Sequence, residues 1–453
     1  MRRAVALSFL AAGVGACGGS SAPAPAAAPK PEPGTAVSTL FDAATVYGTM
    51  GLIVAGPPLP FVATFHYVAD ANPGSTLAVF GLSMASHALN FQRDGSSYTA
   101  QYHVEVSFRT DTSYVRQFAT DETVRVRTLQ ETQRADESVI YQEFLSVPPG
   151  IYHVSVTVRD RNGPAATRRE RVDTVPQFAG QGTTAPLAVY QGPGRTNTSE
   201  VPAVLVNPRA TVPYGADTLR FYLEAYGAHP GTRLAAWASD QAGNEIWHDT
   251  VTLGGTETLA TALVSLGDLP VGAGRFEIGP VGAAPAARRA APFLVSFSDQ
   301  WAITNYDQMI SLLRYFERQD WVEKLRQATP EQRPAVWREF YKATDPVIGT
   351  PENEALDAYF RRVQLANQRF REAGDPGWLS DRGEVFITLG EPDDVFDFGS
   401  DVSRAGVRGV RWTYNSLRLT LFFQDNTGFG RLRLTPLSRA DYQRILAQVR
   451  RKA

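Results

Sequence analysis

The sequence predicts a multidomain protein in which two antiparallel β-sandwich (immunoglobulin-like) domains precede an α+β C-terminal domain. Between residues 37 and 296, apolar and polar side chains alternate with a period of two, which is typical of half-buried strands. From Gln300 onward, apolar residues recur at helical spacing, which indicates a change of structural class. The length of 453 residues also favours several domains, because ordinary domains have roughly 100–200 residues.

The N-terminal end has the pattern of a bacterial export signal. Two arginines form a positive segment, residues 4–14 are mostly apolar, and small residues follow. Cys17 is the only cysteine of the sequence, and Val14-Gly15-Ala16-Cys17 resembles the lipobox of bacterial lipoproteins. The resemblance implies a signal peptide over residues 1–17 and acylation of Cys17, which would anchor the chain in a lipid bilayer. The alternative is an ordinary secretory signal with an incidental cysteine.

A tether is expected between this anchor and the folded part. Residues 18–36 are rich in proline and alanine and offer nothing for a core, so we expect an extended linker. Gly18 follows the cysteine where some bacterial lipoproteins carry aspartate, and this resembles the sorting pattern for the outer membrane. We therefore expect a membrane-anchored lipoprotein of the outer membrane that faces the periplasm or the cell surface.

The β-rich part divides into two predicted domains, at residues 37–183 and 184–296. Clear alternation predicts strands at residues 102–108 and 151–158. The segments that begin at Val147 and Leu269 share a proline-glycine turn followed by a strand. They lie about 120 residues apart, which is close to the roughly 100 residues of an immunoglobulin-like domain plus its loops. This weak internal repeat favours two sandwiches in series.

The predicted C-terminal domain, residues 297–453, begins with helices and ends with a small antiparallel sheet, and we expect it to fold alone. A helix that starts at Thr350-Pro351-Glu352 carries an apolar stripe of Leu356, Tyr359, Phe360, Val363, Ala366 and Phe370. An earlier helix is expected to start with Thr329 as its N-cap, and a last helix with Ser438 as its N-cap. Strands are expected at residues 385–389, 411–414, 417–424 and 431–434.

The most specific motif of the chain is Gly377-Trp378-Leu379-Ser380-Asp381-Arg382-Gly383. It resembles the signature of the GWxTD-domain family of bacterial lipoproteins, with Ser380 in place of the threonine that gives the family its name. The Gly390-Glu391-Pro392-Asp393 turn that follows also fits, and the resemblance extends over residues 300–449. It implies an exported protein with β-rich domains before the motif, and it supplies no established activity.

A shorter stretch resembles a second group of proteins. Leu-Gly-Glu-Pro at residues 389–392, Arg-Trp-Thr-Tyr at 411–414 and Leu-Phe-Phe at 421–423 are similar to the small lipoproteins of the outer-membrane protein assembly machinery. This second resemblance covers fewer residues and is less specific than the first. It implies a binding or assembly role rather than an enzymatic one.

Several carboxylates crowd around the motif and leave three interpretations open. Asp381, Glu384, Glu391, Asp393 and Asp394 fall within fourteen residues. Paired carboxylates serve as general acid and base in glycoside hydrolysis, and carboxylate oxygens also bind hard cations. In the favoured structural interpretation, Asp381 satisfies backbone N–H groups of a turn.

The other motif residues also have structural interpretations. Gly377, Gly383 and Gly390 supply backbone angles that other residues resist. We expect Trp378 to fill the space between the helices and the sheet, and we expect the hydroxyl of Ser380 to keep a capping or turn hydrogen bond. Arg382 is adjacent to Asp381, but neighbouring side chains need not meet. The catalytic residues are therefore unknown, with Asp381 and Asp393 as weak candidates.

The composition excludes some classes of function. Residues 297–453 contain no cysteine and no histidine, which excludes Cys–His and Ser–His–Asp chemistry there. No two histidines of the sequence have a short metal-ligand spacing, so we expect no metal. The sequence has neither a P-loop nor a Gly-x-Gly-x-x-Gly motif, so we expect no cofactor. The 44 basic and 46 acidic residues give a net charge of -2, which argues against nucleic acid as a partner.

The leading hypothesis is a non-enzymatic binding or scaffolding lipoprotein with an envelope protein as its partner. One alternative is a hydrolase of envelope polymers that acts through Asp381 and Asp393. Another is a receptor whose sandwiches bind an extracellular ligand. A deep cleft with two carboxylates favours the hydrolase, whereas a shallow apolar groove or an exposed strand edge favours the binding protein.

Overall fold

The computed structural model describes residues 43–134, 139–178, 180–215, 218–298, 303, 305–347, 353–372, 376–398 and 408–452. The predicted signal peptide, Cys17 and the tether of residues 18–36 lie outside these ranges. The chain is mostly β-sheet, with 44% strand and 24% helix, and most of its helices lie toward the C-terminus. Within the described ranges, none of the helices combines the length and the apolar character that crossing a bilayer requires.

The first β-rich part forms two sheets that face each other. Its elements are α1 (Ala43–Thr49), β1 (Ile53–Ala55), β2 (Phe61–Ala69), β3 (Thr76–Met84), β4 (Gln92–Asp94), β5 (Ser97–Arg109), β6 (Tyr114–Val126), α2 (Leu129–Thr132), β7 (Val139–Val147), β8 (Gly150–Asp160) and β9 (Ala166–Val175). One sheet has the order β1-β2-β3-β7, and the other has the order β4-β5-β8-β9 with β6 also paired to β5.

The alternation predicted for β5 and β8 is what builds the core between these sheets. Tyr102, Val104, Val106 and Phe108 of β5 are all buried on one face. The ring of Phe65 on β2 lies 5.0 Å from Phe80 of its own sheet and 5.5 Å from Phe108 of the facing sheet. The two strand predictions at residues 102–108 and 151–158 are therefore confirmed.

The second β-rich part repeats this arrangement with two further sheets. Its strands are β10 (Gly182–Thr183), β11 (Leu187–Gly194), β12 (Ala203–Val206), β13 (Thr211–Pro213), β14 (Leu219–Tyr226), β15 (Arg233–Asp240), β16 (Glu245–Thr252), β17 (Gly254–Gly255), β18 (Ala260–Leu266), β19 (Gly272–Pro280) and β20 (Arg289–Ser296). The sheet orders are β12-β11-β14-β18-β17, with β10 also paired to β14, and β13-β20-β19-β15-β16. Phe221 and Phe276 stack at 4.5 Å between them.

The two β-rich parts are joined by a second buried layer. Strand β14 buries Phe221 and Leu223 toward its partner sheet, while Tyr222 points the opposite way. There Tyr222 packs in a cluster with Leu77 and Val79 of β3. Because β3 also faces its own core, the four sheets lie in successive layers with hydrophobic contacts between each neighbouring pair.

A buried ion pair lies at the same junction. The Nε and Nη2 atoms of Arg195 donate to the two carboxylate oxygens of Glu224, each at 2.8 Å, and neither side chain is exposed. Tyr222 and Tyr226 also donate to this carboxylate. Arg195 Nη2 donates to the carbonyl oxygen of Ala69 at 2.6 Å, so the pair connects the second part to the end of β2.

The C-terminal part is α+β in composition. Its elements are α3 (Tyr306–Leu312), α4 (Gln319–Gln327), α5 (Arg333–Thr344), α6 (Glu354–Arg369), α7 (Asp381–Leu389), β21 (Asp394–Asp397), β22 (Arg408–Tyr414), β23 (Leu419–Asp425), β24 (Arg433–Leu434) and α8 (Pro436–Lys452). The strands form an antiparallel sheet in the order β21-β22-β23-β24. In α6, the predicted stripe from Leu356 to Ala366 is buried.

The hydrophobic core continues across the boundary predicted at residue 297. Phe297 lies 5.1 Å from Tyr214, which follows β13, and 4.5 Å from Trp337 on α5. Buried residues from β14 to α8 belong to one contiguous cluster. The helices therefore pack directly on the second β-rich part.

Some local predictions were wrong. Residues 385–389 form helix α7 instead of a strand, because a short run of β-branched and aromatic residues does not distinguish a strand from a buried helix turn. Thr329 was expected to be the N-cap of α5, but the helix begins only at Arg333. Before it, the side chain of Gln332 accepts a hydrogen bond from the N–H of Thr329 in a turn. Helix α8 begins at Pro436, before the predicted cap at Ser438.

Candidate functional site

The motif builds a sharp junction between a turn and a helix. Residues Gly377–Leu379 form one 3₁₀ turn, and Ser380 then caps α7. The fully buried Oγ of Ser380 donates to the carbonyl oxygen of Gly377 at 2.7 Å and accepts from the N–H of Gly383 at 3.0 Å. A cap of this kind is typically worth about 1 kcal/mol. The serine therefore supplies the capping bond that the expected threonine would supply.

Two motif glycines serve close approach rather than unusual backbone angles, which corrects the prediction. A Cβ atom on Gly377 would lie 2.4 Å from the carbonyl oxygen of Ala366, and one on Gly383 would lie 2.0 Å from that of Gly377. Neither has a φ in the left-handed region. Only Gly390 matches the expectation, because it ends α7 with a φ of 85°. The motif thus allows α7, the turn and α6 to touch.

Trp378 lies in the interior of the C-terminal part. It is 3% exposed and belongs to the continuous core, and its ring lies 6.2 Å from Tyr315 in an edge-on arrangement. Its Nε1 is buried, and none of the described residues accepts a hydrogen bond from it. The indole therefore contributes packing to this site.

Asp381 connects three elements. It is the first residue of α7, and its Oδ2 accepts from the N–H of Leu434 on β24 at 2.7 Å. Arg439 on α8 lies 2.5 Å from the same oxygen, and Arg433 lies 3.6 Å from Oδ1. Asp381 was predicted to accept hydrogen bonds from backbone N–H groups of its own turn. That prediction was wrong, because the N–H that it accepts belongs to a strand 53 residues away.

Arg439 holds two motif carboxylates at once. Its Nη1 donates to Oε2 of Glu384 at 3.0 Å, while Nη2 contacts Asp381. Burial alone would lower the pKa of Arg439, but the charges of Asp381 and Glu384 raise it above its usual range. The guanidinium therefore remains charged and acts as a fixed link between α7 and α8.

A second arginine of the site pairs with a residue that the sequence did not single out. Arg382 Nη2 donates at 3.2 Å to Oε1 of Glu372, whose side chain is completely buried. Burial raises the pKa of Glu372, and burial lowers the pKa of Arg382. Arg433 and Arg439 had no local sequence signal, because their partner Asp381 belongs to a distant segment. Glu372 lies ten residues before Arg382 and outside the motif, so the motif did not point to it.

Asp393 lies in a different environment. Its Oδ2 accepts from the N–H of Asn415 at 2.6 Å, beside the half-buried Pro392. The structure therefore joins Asp381 to Glu384 through Arg439, but it gives Asp393 a separate partner in the turn after β22. Within the described ranges, no group of three histidine, cysteine or acidic side chains could hold a metal ion.

The chemistry open to these carboxylates is limited by their partners. Oxygens of Asp381 and Asp393 already accept backbone N–H groups, and Asp381 also faces two arginines. A general base needs an oxygen that can reach a substrate proton. The arrangement is better suited to holding α7, α8 and the sheet together than to proton transfer.

No curated protein matches this chain significantly. Similar solved structures include the BSP domain of a biofilm-associated protein, red sea bream transglutaminase and trypsin-activated alpha-2-macroglobulin from Escherichia coli. Their identities are 8%, 10% and 10% over 56%, 52% and 56% of this chain, with TM-scores of 0.17, 0.16 and 0.17. The chain covers 54%, 31% and 18% of their lengths.

The family model gives the clearer result. The model of the GWxTD domain matches residues 284–427, which include β20, the helices α3 to α7 and most of the last sheet. The matched region begins before the predicted boundary at residue 297 and so includes β20 of the second β-rich part. The hydrophobic core is also continuous across this boundary. The protein therefore carries a GWxTD domain, and its signature segment forms the turn and the start of helix α7.

Proposed function

We propose that this chain is a membrane-anchored lipoprotein of the bacterial envelope with a non-enzymatic binding or scaffolding role. The proposal is carried by one observation, which is that the motif residues are engaged in contacts within the fold. Ser380 caps a helix, Trp378 is buried, and Asp381 is held by Leu434 and Arg439. A motif occupied in this way supports a rigid platform that presents other surfaces to a partner.

The domain organisation proposed with this role is two immunoglobulin-like sandwiches that carry the GWxTD domain. The shared core between each pair of facing sheets supports it. The junction between the two pairs is stiffened by the buried Arg195–Glu224 pair. A stiff array of this kind suits a scaffold, because it holds distant surfaces in one orientation.

A shallow groove supports binding over hydrolysis. It has a volume of about 850 Å³ and lies beside β12, where Tyr190, Leu205 and Leu263 contribute to its lining. Leu263 and Leu205 are exposed there. The hydrolase alternative has weaker support, because Asp381 and Asp393 are engaged by separate partners.

The membrane anchor is tested by replacing the lipidation residue. Cys17→Ala should abolish acylation and release the protein from membranes on fractionation, because no acyl chain would then be present. Cys17→Ser also lacks the thiol but keeps the size of the side chain, so it should be released in the same way. If either variant stays membrane-bound after a high-salt wash, the lipoprotein assignment is wrong.

The binding role is tested by crosslinking in intact cells. A photoreactive residue placed at an exposed position in the groove, such as Leu263, should capture a defined envelope protein, whereas one at the buried Trp378 should not. If the same envelope protein is still captured in the Asp381→Asn variant, this result supports a structural role for the motif. Failure to capture any protein from several exposed positions, together with loss of an envelope polymer-cleaving activity in Asp381→Asn, would instead support the hydrolase.

A further inference from the structure

His66 differs from the other five histidines of the chain in its surroundings. Four of those lie between 2.8 and 3.2 Å from a carboxylate oxygen, in the pairs His103–Asp121, His153–Asp111, His229–Glu257 and His248–Glu245. The ring of His87 lies 3.0 Å from the carbonyl oxygen of Arg134. A proton on any of these five rings therefore meets an acceptor. Among the described residues, none forms a hydrogen bond with the ring of His66.

His66 lies in the junction between the two β-rich parts. Its neighbour Phe65 faces the core of the first part, so His66 faces the opposite side of β2. The register places it opposite Val79 of β3, which is completely buried among residues of both parts. Thr64 and Val68, on the same face of β2, are 6% and 3% exposed. His66 itself is partly buried, so a proton on its ring would place a charge beside apolar side chains.

The charges of the first part do not compensate for such a proton. Among the described residues, Arg171 and Asp173 of β9 are the charged side chains that act on His66. Arg171 Nη2 donates to Oδ2 of Asp173 at 2.7 Å, and the hydroxyl of Tyr67 donates to the same oxygen at 3.0 Å. The carboxylate is therefore already engaged, and the guanidinium repels a second positive charge.

Glu224, a carboxylate that the second part brings to this junction, is also engaged. It accepts hydrogen bonds from three side chains of its own part, Arg195, Tyr222 and Tyr226. Arg209 is a second-part cation that bonds to the first part, and its Nε donates to Oγ of Ser83 on β3 at 3.0 Å. An ion pair and a cation do not stabilise a proton on His66, so both sides of the junction favour the neutral ring.

The junction therefore responds to acid in one direction. Burial is the main cause that lowers the pKa of His66 from 6.5 to about 4, and the charge of Arg171 lowers it further. An open junction would expose the ring to water and return its pKa to the ordinary value of about 6.5. Between about pH 6.5 and about pH 4, the open state binds one proton more than the closed state. The closed junction keeps its full stability above this range and loses stability as the pH falls through it.

We propose that His66 is an acid-sensitive contact, whose protonation weakens the junction between the two β-rich parts and lets them separate. At neutral pH the uncharged ring packs beside the apolar residues of the junction, and the two parts stay in one orientation. In acid the charged ring favours the open junction, in which water solvates it. This inference goes beyond the proposed binding role and does not depend on it.

The test follows backbone hydrogen exchange in the full chain by mass spectrometry, at about pH 7.5 and about pH 5. The N–H groups of Ala69 and Val206 report on the junction, because they donate across it to the side chains of Tyr226 and Gln142. After correction for the intrinsic effect of pH on exchange, the equilibrium constant for opening at these two groups should be about thirtyfold larger at the lower pH.

Two variants identify the group that titrates. His66→Leu keeps an apolar side chain in the junction but has no titrating group, and its opening constant should change less than about threefold between the two pH values. His248→Leu is the matched control, because His248 is exposed and pairs with Glu245. It should retain the full increase. An unaltered chain that is equally protected at both pH values, or an undiminished increase in His66→Leu, would overturn the proposal.

A second measurement does not depend on how the variants fold. Deuterium exchange at the imidazole carbon between the two ring nitrogens depends on protonation of the ring, and mass spectrometry follows it for each histidine. In the unaltered chain, the midpoint for His66 should lie well below the usual value of about 6.5. A midpoint at or above that value would show that the folded junction accepts the proton, and the acid-sensitive contact would then be wrong.

Discussion

Substitutions of Asp381 distinguish a structural role of the motif from a catalytic one. Asp381→Ala removes the acceptor for the N–H of Leu434, which is then left unpaired in a partly buried position. An unpaired group of this kind costs about 1–3 kcal/mol. Arg439 also loses one of its two carboxylates, which adds about 1 kcal/mol at a side chain that is one-third exposed. We therefore expect Asp381→Ala to lower the free energy of unfolding by about 2–4 kcal/mol.

The isosteric variant divides this cost into its two parts. Asp381→Asn keeps an oxygen that accepts from Leu434 but removes the negative charge that faces Arg439. We expect it to cost only about 1 kcal/mol, because the backbone bond survives. Asp393→Ala is the matched control, since that carboxylate also accepts one backbone N–H but lies in an exposed turn.

Urea unfolding of the three variants beside the unaltered chain measures these differences, provided that the slopes with denaturant agree. An envelope-function assay would accompany the unfolding curves. If Asp381→Ala leaves the stability unchanged while Asp381→Asn abolishes function, the structural account of Asp381 is refuted. The hydrolase alternative would then become the better explanation.

Three further predictions concern the core and its junctions. Trp378→Ala should lower the free energy of unfolding by roughly 3–5 kcal/mol, and Trp378→Phe by less, as measured by urea unfolding. Glu224→Ala should lower the free energy of unfolding by about 3–5 kcal/mol, because it leaves the buried Arg195 without its carboxylate partner. Replacing both residues with apolar ones of similar size should restore most of that stability. Equal losses of stability in the single and the double variant would contradict a buried pair. A fragment of residues 297–453 should be less stable in circular dichroism melting than one of residues 184–453, because it exposes the aromatic surface around Phe297. Equal melting temperatures would show that the shared core adds nothing.

The elements that the sequence predicted well are those with a long, regular pattern. Strands β5 and β8 carry an alternation over many residues, and α6 carries its stripe over several turns, so local periodicity was enough to assign them. The run at residues 385–389 was too short for its period to be decisive. Its helical form depends on the cap at Ser380 and on close packing at Gly377 and Gly383, and the packing depends on contacts outside the run.

By itself, the sequence determined the order of a β-rich part and a helical part, and it revealed the GWxTD signature, because periodicity and motifs are properties of adjacent residues. Only the tertiary structure decided which groups meet. It paired Asp381 with Arg439, Arg382 with Glu372 and Arg195 with Glu224. It also merged the core of the second β-rich part with that of the helices. Except for the Arg382–Glu372 pair, which spans ten residues, these contacts join separate segments of the chain. The packing of whole sheets and helices chooses the partners, and no local pattern encodes that packing.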